Sequence, residues 1–326
     1  MYLMKNTVDE SEMNILIVHS GNAVNDSREY TFVYEQARAL THTGLVNVSF
    51  FAVKGKGVFG YIRNYKSLLK VIKKERIDLI HAHYGLCGLL SNLQRRIPVV
   101  TTYHGSDVNI PRNRLLSKMA MILSSYNIFV SKKLMIISHY DNLCKERPFS
   151  IIPCGIDVEQ FQNVDKDEAR RIMGLKNEQK YVLFAGAFDK TVKNANLAHE
   201  TIRHLQDVEL IELKGYSREQ VALLLYACDA LLMTSHTEGS PTIIKEALAC
   251  GCPIVSVDVG DVKKQIENVN GCHVSDQYDA SNLAQLLKKS FSIERTNGRE
   301  RIAVMGLDNS QVAKKIVEVY KRVLNG

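Results

Sequence analysis

The chain has no apolar run approaching the roughly 18 residues that a membrane-spanning helix requires, so no such helix is expected within it. Its first stretch, MYLMKNTVDESEMN, is short, polar and partly acidic, so neither a signal nor a transit peptide is expected. Paired cysteines at zinc spacing are missing too. The seven cysteines (Cys87, Cys144, Cys154, Cys228, Cys250, Cys252, Cys272) are odd in number and scattered. Cys250 and Cys252 form C-x-C with no second pair to complete a metal site, so buried reduced thiols and a cytosolic setting are expected. No short tandem repeat, nucleic-acid motif or basic–aromatic platform is present.

What is present is the composition of a soluble globular protein, 45% apolar and 24% charged. A length of 326 residues suggests two domains of about 150 residues each. Charge divides unevenly between the halves. Residues 1–150 hold 20 Lys+Arg against 11 Asp+Glu, whereas residues 151–326 hold 22 against 24. A basic half beside a near-neutral one points to an anionic partner: a membrane face, a phosphorylated acceptor or nucleic acid. The lack of any nucleic-acid motif argues against the last.

Short apolar runs alternate with amphipathic stretches. In the first half NILIVHS (14–20), VNVSFFAV (46–53), IDLIHAHYG (77–85), IPVVTTYHGSD (97–107) and KLMIIS (133–138) are predicted strands. Helices are predicted at 28–44, stopped by Gly44, and, strongly basic, over about 60–75. In the second half KYVLFAGAF (180–188), VELIEL (208–213), ALLMTS (230–235) and CPIVSVD (252–258) repeat the scheme. Continuous apolar strands separated by helices predict an α/β fold, with two doubly wound Rossmann-like domains facing across a cleft at their strand C-termini. The non-periodic SIIPCGIDVEQFQ (150–162) is the predicted linker, giving domains at 1–150 and 151–309 and a final helix within 310–326.

Two formal motifs are set aside. GKGVFG, Gly55 to Gly60, matches G-x-G-x-x-G, but it follows the second strand and no acidic residue ends a strand about 20 residues on; a basic loop is expected. DKD, Asp165 to Asp167, matches a metal-binding D-x-D, but its position before EARRIMG suits a helix N-terminus. SHTEGSPTIIKEALACGCPIVS (235–256) is more specific. Ser240 reads as an N-cap and Pro241 as the first helical residue, leaving the N–H groups of Thr242 and Ile243 free to face a phosphate. Glu246 lies about 7.5 Å further along the axis, a reach suited to a ribose whose diphosphate rests on the helix end. Glu238, in the preceding loop, would meet the group beyond the diphosphate. Lys190 and Lys193, after the first strand of the second half, are placed to converge on the same charge. Gly21, His83 and the HGSD of His104 to Asp107 each follow a strand and would line the facing side.

With these residues together, the chain resembles a group 1 (family 4) glycosyltransferase of the GT-B fold, retaining and metal-independent. The resemblance rests on E-x7-E, Glu238 to Glu246, and on HAHYG, TYHGSDVN, IIPCGIDVEQF and VKN, in family order over nearly the whole chain. It implies a nucleoside-diphosphate-sugar donor, UDP- or GDP-linked, held mainly by the second domain. A saccharide or lipid-linked acceptor would sit mainly on the first, in surface polysaccharide or glycolipid synthesis. By the same resemblance Glu246 holds the ribose, while Glu238, Gly239 and Ser240 lie beside the donor sugar. The Thr242 and Ile243 amides and Lys193 hold the diphosphate, His104 touches the sugar, and the loop at Gly21 approaches the phosphates. Glu238, His104 and Lys193 are the implied catalytic residues, His83 and Asp107 acceptor-side candidates. Neither metal nor cofactor is implied, and the last helix would cross back onto the first domain.

Two departures stand out. Ala187 occupies a position where the family commonly has arginine, with Lys190 as the candidate substitute, and Gly21 stands alone where many members have a Gly-Gly pair. Two other readings share the donor: a sugar-nucleotide epimerase of the same architecture, and a non-catalytic sugar-nucleotide-binding partner of another transferase. Finally, Lys54, Lys56, Arg63, Lys66, Lys70, Lys73, Lys74 and Arg76 surround Tyr61, Ile62, Tyr65, Leu68, Leu69 and Ile72. Residues 54–76 thus read as a basic amphipathic surface segment suited to anionic lipid, and peripheral contact with the inner face of a membrane is expected.

Overall fold

The computed structural model describes residues 12–21, 31–144, 147–161 and 163–326. Six strands form the first sheet: β1 (Met13–Ser20), β2 (Val46–Val53), β3 (Leu79–His83), β4 (Val99–Tyr103), β5 (Tyr126–Phe129) and β6 (Phe149–Ile151). All pair in parallel, in the order β2-β1-β3-β4-β5-β6. Ile15 to Val18 of β1 are fully buried because helices cover both faces. Ile15 and Ile17 point to one face, where helices Thr31–Thr41 and Asn309–Asn325 pack. Leu16 and Val18 point to the other, covered by helices Gly57–Ile62, Tyr65–Lys74 and Gly85–Asn92.

The second sheet holds β7 (Lys180–Phe184), β8 (Val208–Glu212), β9 (Ala230–Met233), β10 (Ile254–Val257) and β11 (His273–Ser275), in the order β11-β10-β9-β7-β8. In each sheet the first strand has its sequence successor on one side and a later strand on the other. Loops leaving β1 and β3, and likewise β7 and β9, therefore diverge and open a crevice at the strand C-termini. Two doubly wound sheets are what the sequence led us to expect. The last helix also crosses back as the resemblance implied: Val312, Ile316, Val317 and Tyr320 join the core around Ile15, Ile17 and Leu40. Burial worth roughly 1.5–3 kcal/mol per large apolar side chain fixes it there.

Three local expectations fail. KLMIIS is not a strand but part of helix Lys132–Ser138, capped by the Ser131 hydroxyl, which accepts the Leu134 N–H. It buries Leu134 and Met135 and exposes Ile136, so one helical face of the apolar run packs. The strand lies upstream in β5, where Asn127 breaks the apolar pattern; its buried amide oxygen accepts the Tyr103 hydroxyl at 2.9 Å. The predicted basic helix splits in two at Asn64, whose amide turns back to donate to the carbonyls of Lys54 and Gly60 at 2.8 and 2.7 Å. The first of the two helices begins inside the G-x-G-x-x-G segment. β6 takes the first residues of the predicted linker.

Residues 28–30 of the predicted first helix lie outside the described residues, and the rest begins at Thr31. Asp165 caps helix Lys166–Met173, accepting from the N–H groups of Asp167 and Glu168, as its sequence position suggested. No helix among the described residues is long and apolar enough to cross a membrane. Cys250 and Cys252 are buried free thiols.

Candidate active site

The loops after β7 and β9 meet at the second sheet's crevice. Gly186 lies two residues past β7, and a Cβ there would lie 2.7 Å from the Lys193 Cγ, so the glycine lets the lysine fold across the strand end. Lys193 reaches Glu238, with Nζ 2.7 Å from Oε1, both side chains largely withdrawn from solvent. The Thr234 hydroxyl donates to the Lys193 carbonyl and the His236 N–H to the Val192 carbonyl, both at 2.9 Å, tying the two loops together. Lys190 starts the turn Thr191–Lys193 but stays exposed at the rim, and does not join the Lys193–Glu238 pair.

Helix Thr242–Ala249 begins one residue later than expected, with Pro241 at its cap. Ser240 is not the N-cap. Its hydroxyl donates to Asp261 Oδ2 and accepts from Lys245 Nζ, each at 2.9 Å. The cause is electrostatic: Lys245 is wholly buried, and burial drives its pKa down and that of Asp261 up, so both charges need a polar neighbour. The Lys245 ammonium also donates to the Cys154 carbonyl at 2.8 Å, tying the helix to the inter-sheet segment. Thr242 and Ile243 occupy the first turn, where amides lack intrahelical partners, and Glu246 follows one turn on, half-buried. Lys245, Asp261 and Arg218, whose guanidinium pairs with Glu35 of the first-sheet helix, were missed in the sequence. A lysine inside an otherwise apolar helix, next to Glu246, was the one signal available.

The first sheet's crevice faces these residues directly. A Cβ on Gly239 would collide with the His104 carbonyl oxygen, so only glycine lets the two main chains touch. The Asn109 amide donates to the Glu238 carbonyl at 3.2 Å. The His104 ring lies with Nε2 3.0 Å from His83 Nδ1 and Nδ1 3.6 Å from the Cys154 sulfur. Burial, assisted by His81 and Lys245, lowers its pKa to about 3, so the ring is neutral at pH 7 and is no proton donor there. His83 is likewise held well below its ordinary value by burial, and its Nε2 has no hydrogen-bond partner among the described residues. His81 sits between the Tyr320 hydroxyl, 2.6 Å away, and Thr102, 2.7 Å away.

Asp107 turns onto the backbone of its own loop. Its oxygens accept the N–H groups of Gly105, His104 and Gly85 at 2.9, 3.1 and 3.2 Å. Burial raises its pKa to about 6, against the pull of those bonds. It braces the loop, and it borders a pocket of about 190 Å³ that Ser20, Tyr61, Tyr84, Ser106, Asn113 and Ser117 also line. Gly21 follows β1, its N–H bonded to the Val53 carbonyl at 2.7 Å. The loop beyond it, which would carry it toward phosphates, falls outside the described residues.

The glycosyltransferase family 4 profile matches residues 23–160 and the glycosyl transferases group 1 profile residues 175–292. The chain is 30% identical over 232 residues to a Bacillus subtilis protein named "Putative teichuronic acid biosynthesis glycosyltransferase TuaC", covering 60% of this chain and 57% of that one. It is 24% identical to an uncharacterized glycosyltransferase of Methanocaldococcus jannaschii, over 80% of this chain and 78% of the relative. An Escherichia coli UDP-Gal:alpha-D-GlcNAc-diphosphoundecaprenol alpha-1,3-galactosyltransferase is 23% identical over 67% of this chain and 66% of its own. Among solved structures, sucrose-phosphate synthase from Thermosynechococcus elongatus superposes with a TM-score of 0.78 at 16% identity, over 96% of this chain and all of that one. Anabaena HepE in complex with UDP-glucose superposes with a TM-score of 0.71 at 16% identity, over 95% of this chain and 100% of that chain. Both likenesses show the two-domain GT-B fold.

Proposed function

Because the chain belongs to the group 1, family 4 glycosyltransferases, we propose that it moves a sugar from a UDP- or GDP-sugar to a saccharide or lipid-linked acceptor in surface polysaccharide or glycolipid synthesis. One observation carries the reading: Lys193, Glu238 and the start of helix Thr242–Ala249 meet at the second sheet's switch point, directly against His104 on the loop after β4 of the first. The donor diphosphate would rest on the first-turn amides and the Lys193 ammonium, with the ribose hydroxyls on Glu246. The bond from the anomeric carbon to the diphosphate oxygen breaks as the acceptor oxygen attacks from the face being vacated, so configuration is retained. The acceptor proton passes to the departing phosphate oxygen. Lys193 and the helix end stabilise the charge that develops there, the work a divalent cation does in other transferases, so no metal is required. Glu238 aims the ammonium, and His104 acts as a neutral hydrogen-bonding group beside the sugar.

The reading is tested by following free nucleoside diphosphate from UDP-glucose and GDP-mannose in EDTA, with and without saccharide acceptors. Release that depends on acceptor, with an α-linked product by NMR, is expected. Lys193→Ala should lower kcat about 100-fold. Interconversion of the sugar without release would instead identify an epimerase. Donor binding without turnover, in keeping with Ala187, would identify a non-catalytic partner.

A further inference from the structure

The first sheet's two faces differ sharply in what they show to solvent. Helices Thr31–Thr41 and Asn309–Asn325 share one face and bury most of their apolar residues against each other and the sheet, leaving Tyr34 and Leu324 partly exposed. On the opposite face, helix Gly85–Asn92 packs against both Gly57–Ile62 and Pro111–Leu123. There Phe59 is 84% exposed, Leu115 67%, and Ile62, Met119, Ile122 and Leu93 are exposed as well. Leu115, Met119 and Ile122 recur at helical spacing, so they form a stripe on the outer side of helix Pro111–Leu123. Sequence reading took note of the 54–76 segment and overlooked this second helix.

Charge on this face is predominantly positive, with Glu75 as an exposed acid at the end of helix Tyr65–Lys74. Residues 54–123 contain 13 Lys and Arg against three acids, Glu75, Asp78 and Asp107. Asp107 is buried under three backbone N–H groups, and Asp78 is bonded to Asn14 at the other end of the sheet. Lys54, Lys56, Arg63, Lys66, Lys70 and Arg112 are exposed around the apolar residues. Bases alone would suit any polyanion. Aliphatic and aromatic side chains standing out of helices among bases suit one whose interior is hydrocarbon, since burying them there is worth roughly 1.5–3 kcal/mol each. The pocket of about 190 Å³ opens between the same two helices, lined by Tyr61 on one and by Asn113 and Ser117 on the other.

We propose that this face, led by Phe59 and Ile62 on one helix and Leu115, Met119 and Ile122 on the other, docks on an anionic lipid bilayer. The pocket between the helices then receives the hydroxylated head of a lipid-linked acceptor held in that bilayer. The docking stands by itself; the acceptor clause rests on the transferase reading above. Bilayer binding pins both helices at the acceptor side and leaves the donor side in water.

The test is co-sedimentation of the whole chain with vesicles of phosphatidylglycerol in phosphatidylcholine, and of phosphatidylcholine alone, at low salt. The variants are F59S/L115S/M119S, K66E/K70E and, as a control in the second sheet's domain, V304S. Binding is expected on the anionic vesicles, reduced about tenfold or more in each of the first two variants and unchanged in V304S. Unchanged far-UV circular dichroism and melting temperature exclude unfolding as the cause. Hydrogen exchange should slow on vesicles in Gly57–Ile62 and Pro111–Leu123 but not in Asn309–Asn325. No binding to anionic vesicles would overturn the docking, as would slowing on the opposite face. Equal binding to a DNA duplex that the apolar variant leaves intact would also overturn it, since the surface would then be a generic polyanion site. UDP and GDP binding, measured on the same samples, separates the two claims: docking lost with nucleotide binding kept leaves the transferase reading standing.

Discussion

In the second domain the buried carboxylate Asp229 accepts from Lys166, Arg170, Lys180 and the Tyr181 N–H at 2.8–3.0 Å. In the first, buried imidazoles line the crevice edge of the sheet, the edge opposite to the one Asp229 occupies in its own: His81, His83 and His104 are stacked face to face and held neutral. One domain stabilises its interior with compensated charge, the other by suppressing charge. The difference matches the cargo each side is proposed to hold. A diphosphate is met by lysine and helix amides, and a neutral hydroxylated acceptor by neutral imidazoles with the backbone-bonded carboxyl of Asp107 beside them.

Removing the charge compensation should have the largest effect. Asp229→Ala strands Arg170, only 4% exposed, with the two lysines beside it, and should cost about 3–5 kcal/mol in urea unfolding. A loss under 1 kcal/mol would show that the ion pairs do not set the second domain's stability. Gly239→Ala comes next. It drives a methyl group into the His104 carbonyl and should lower kcat/KM about 100-fold by parting the two crevices, with little change in melting temperature.

Acid should separate the domains more gently. His81 and His104 titrate in the unfolded chain near 6.5 and in the folded one near 3, so the unfolded state binds more protons on acidification. The stability of the first domain is therefore lost as pH falls from about 6.5 toward 4. Asp107 opposes this, since its folded value of about 6 lies above 3.8 and its penalty is relieved over the same range, but one carboxyl faces three histidines. For Asp229, burial acts to raise the pKa, but the bonds from Lys166 and Tyr181 outweigh it and hold it below 3.8, so its contribution persists to about pH 4 and fades only below. Hydrogen exchange at pH 5 should show β1, β3 and β4 opening before β7 and β9; the reverse order would refute the comparison.

The same contrast explains what could be read from sequence. Strands β1, β3, β4, β7, β9 and β10 were legible because each is a largely apolar run buried on both faces, and the edge strands β2 and β8 because β-branched and apolar residues alternate with polar ones. β5 was not, since Asn127 breaks the run and its stabilisation by Tyr103 is a tertiary fact. KLMIIS misled because a short apolar run carries no period, and the Ser131 cap decides for helix. That Lys193 and Glu238 meet was legible because both lie in loops that follow strands of one sheet. Lys245 and Asp261 were not: they meet only through Ser240, which lies 21 residues from Asp261, and local pattern leaves the three unrelated.

The Thr242–Ala249 helix and Glu246 are proposed to form a nucleotide site. Calorimetry of UDP, GDP and ADP in EDTA on wild type and Glu246→Ala tests it most directly. The account predicts that one nucleotide binds the wild type and that the variant loses about 10- to 100-fold in affinity, the value of one or two charge-assisted hydrogen bonds. Equal affinity in both proteins, or no binding of any nucleotide to the wild type, would contradict it.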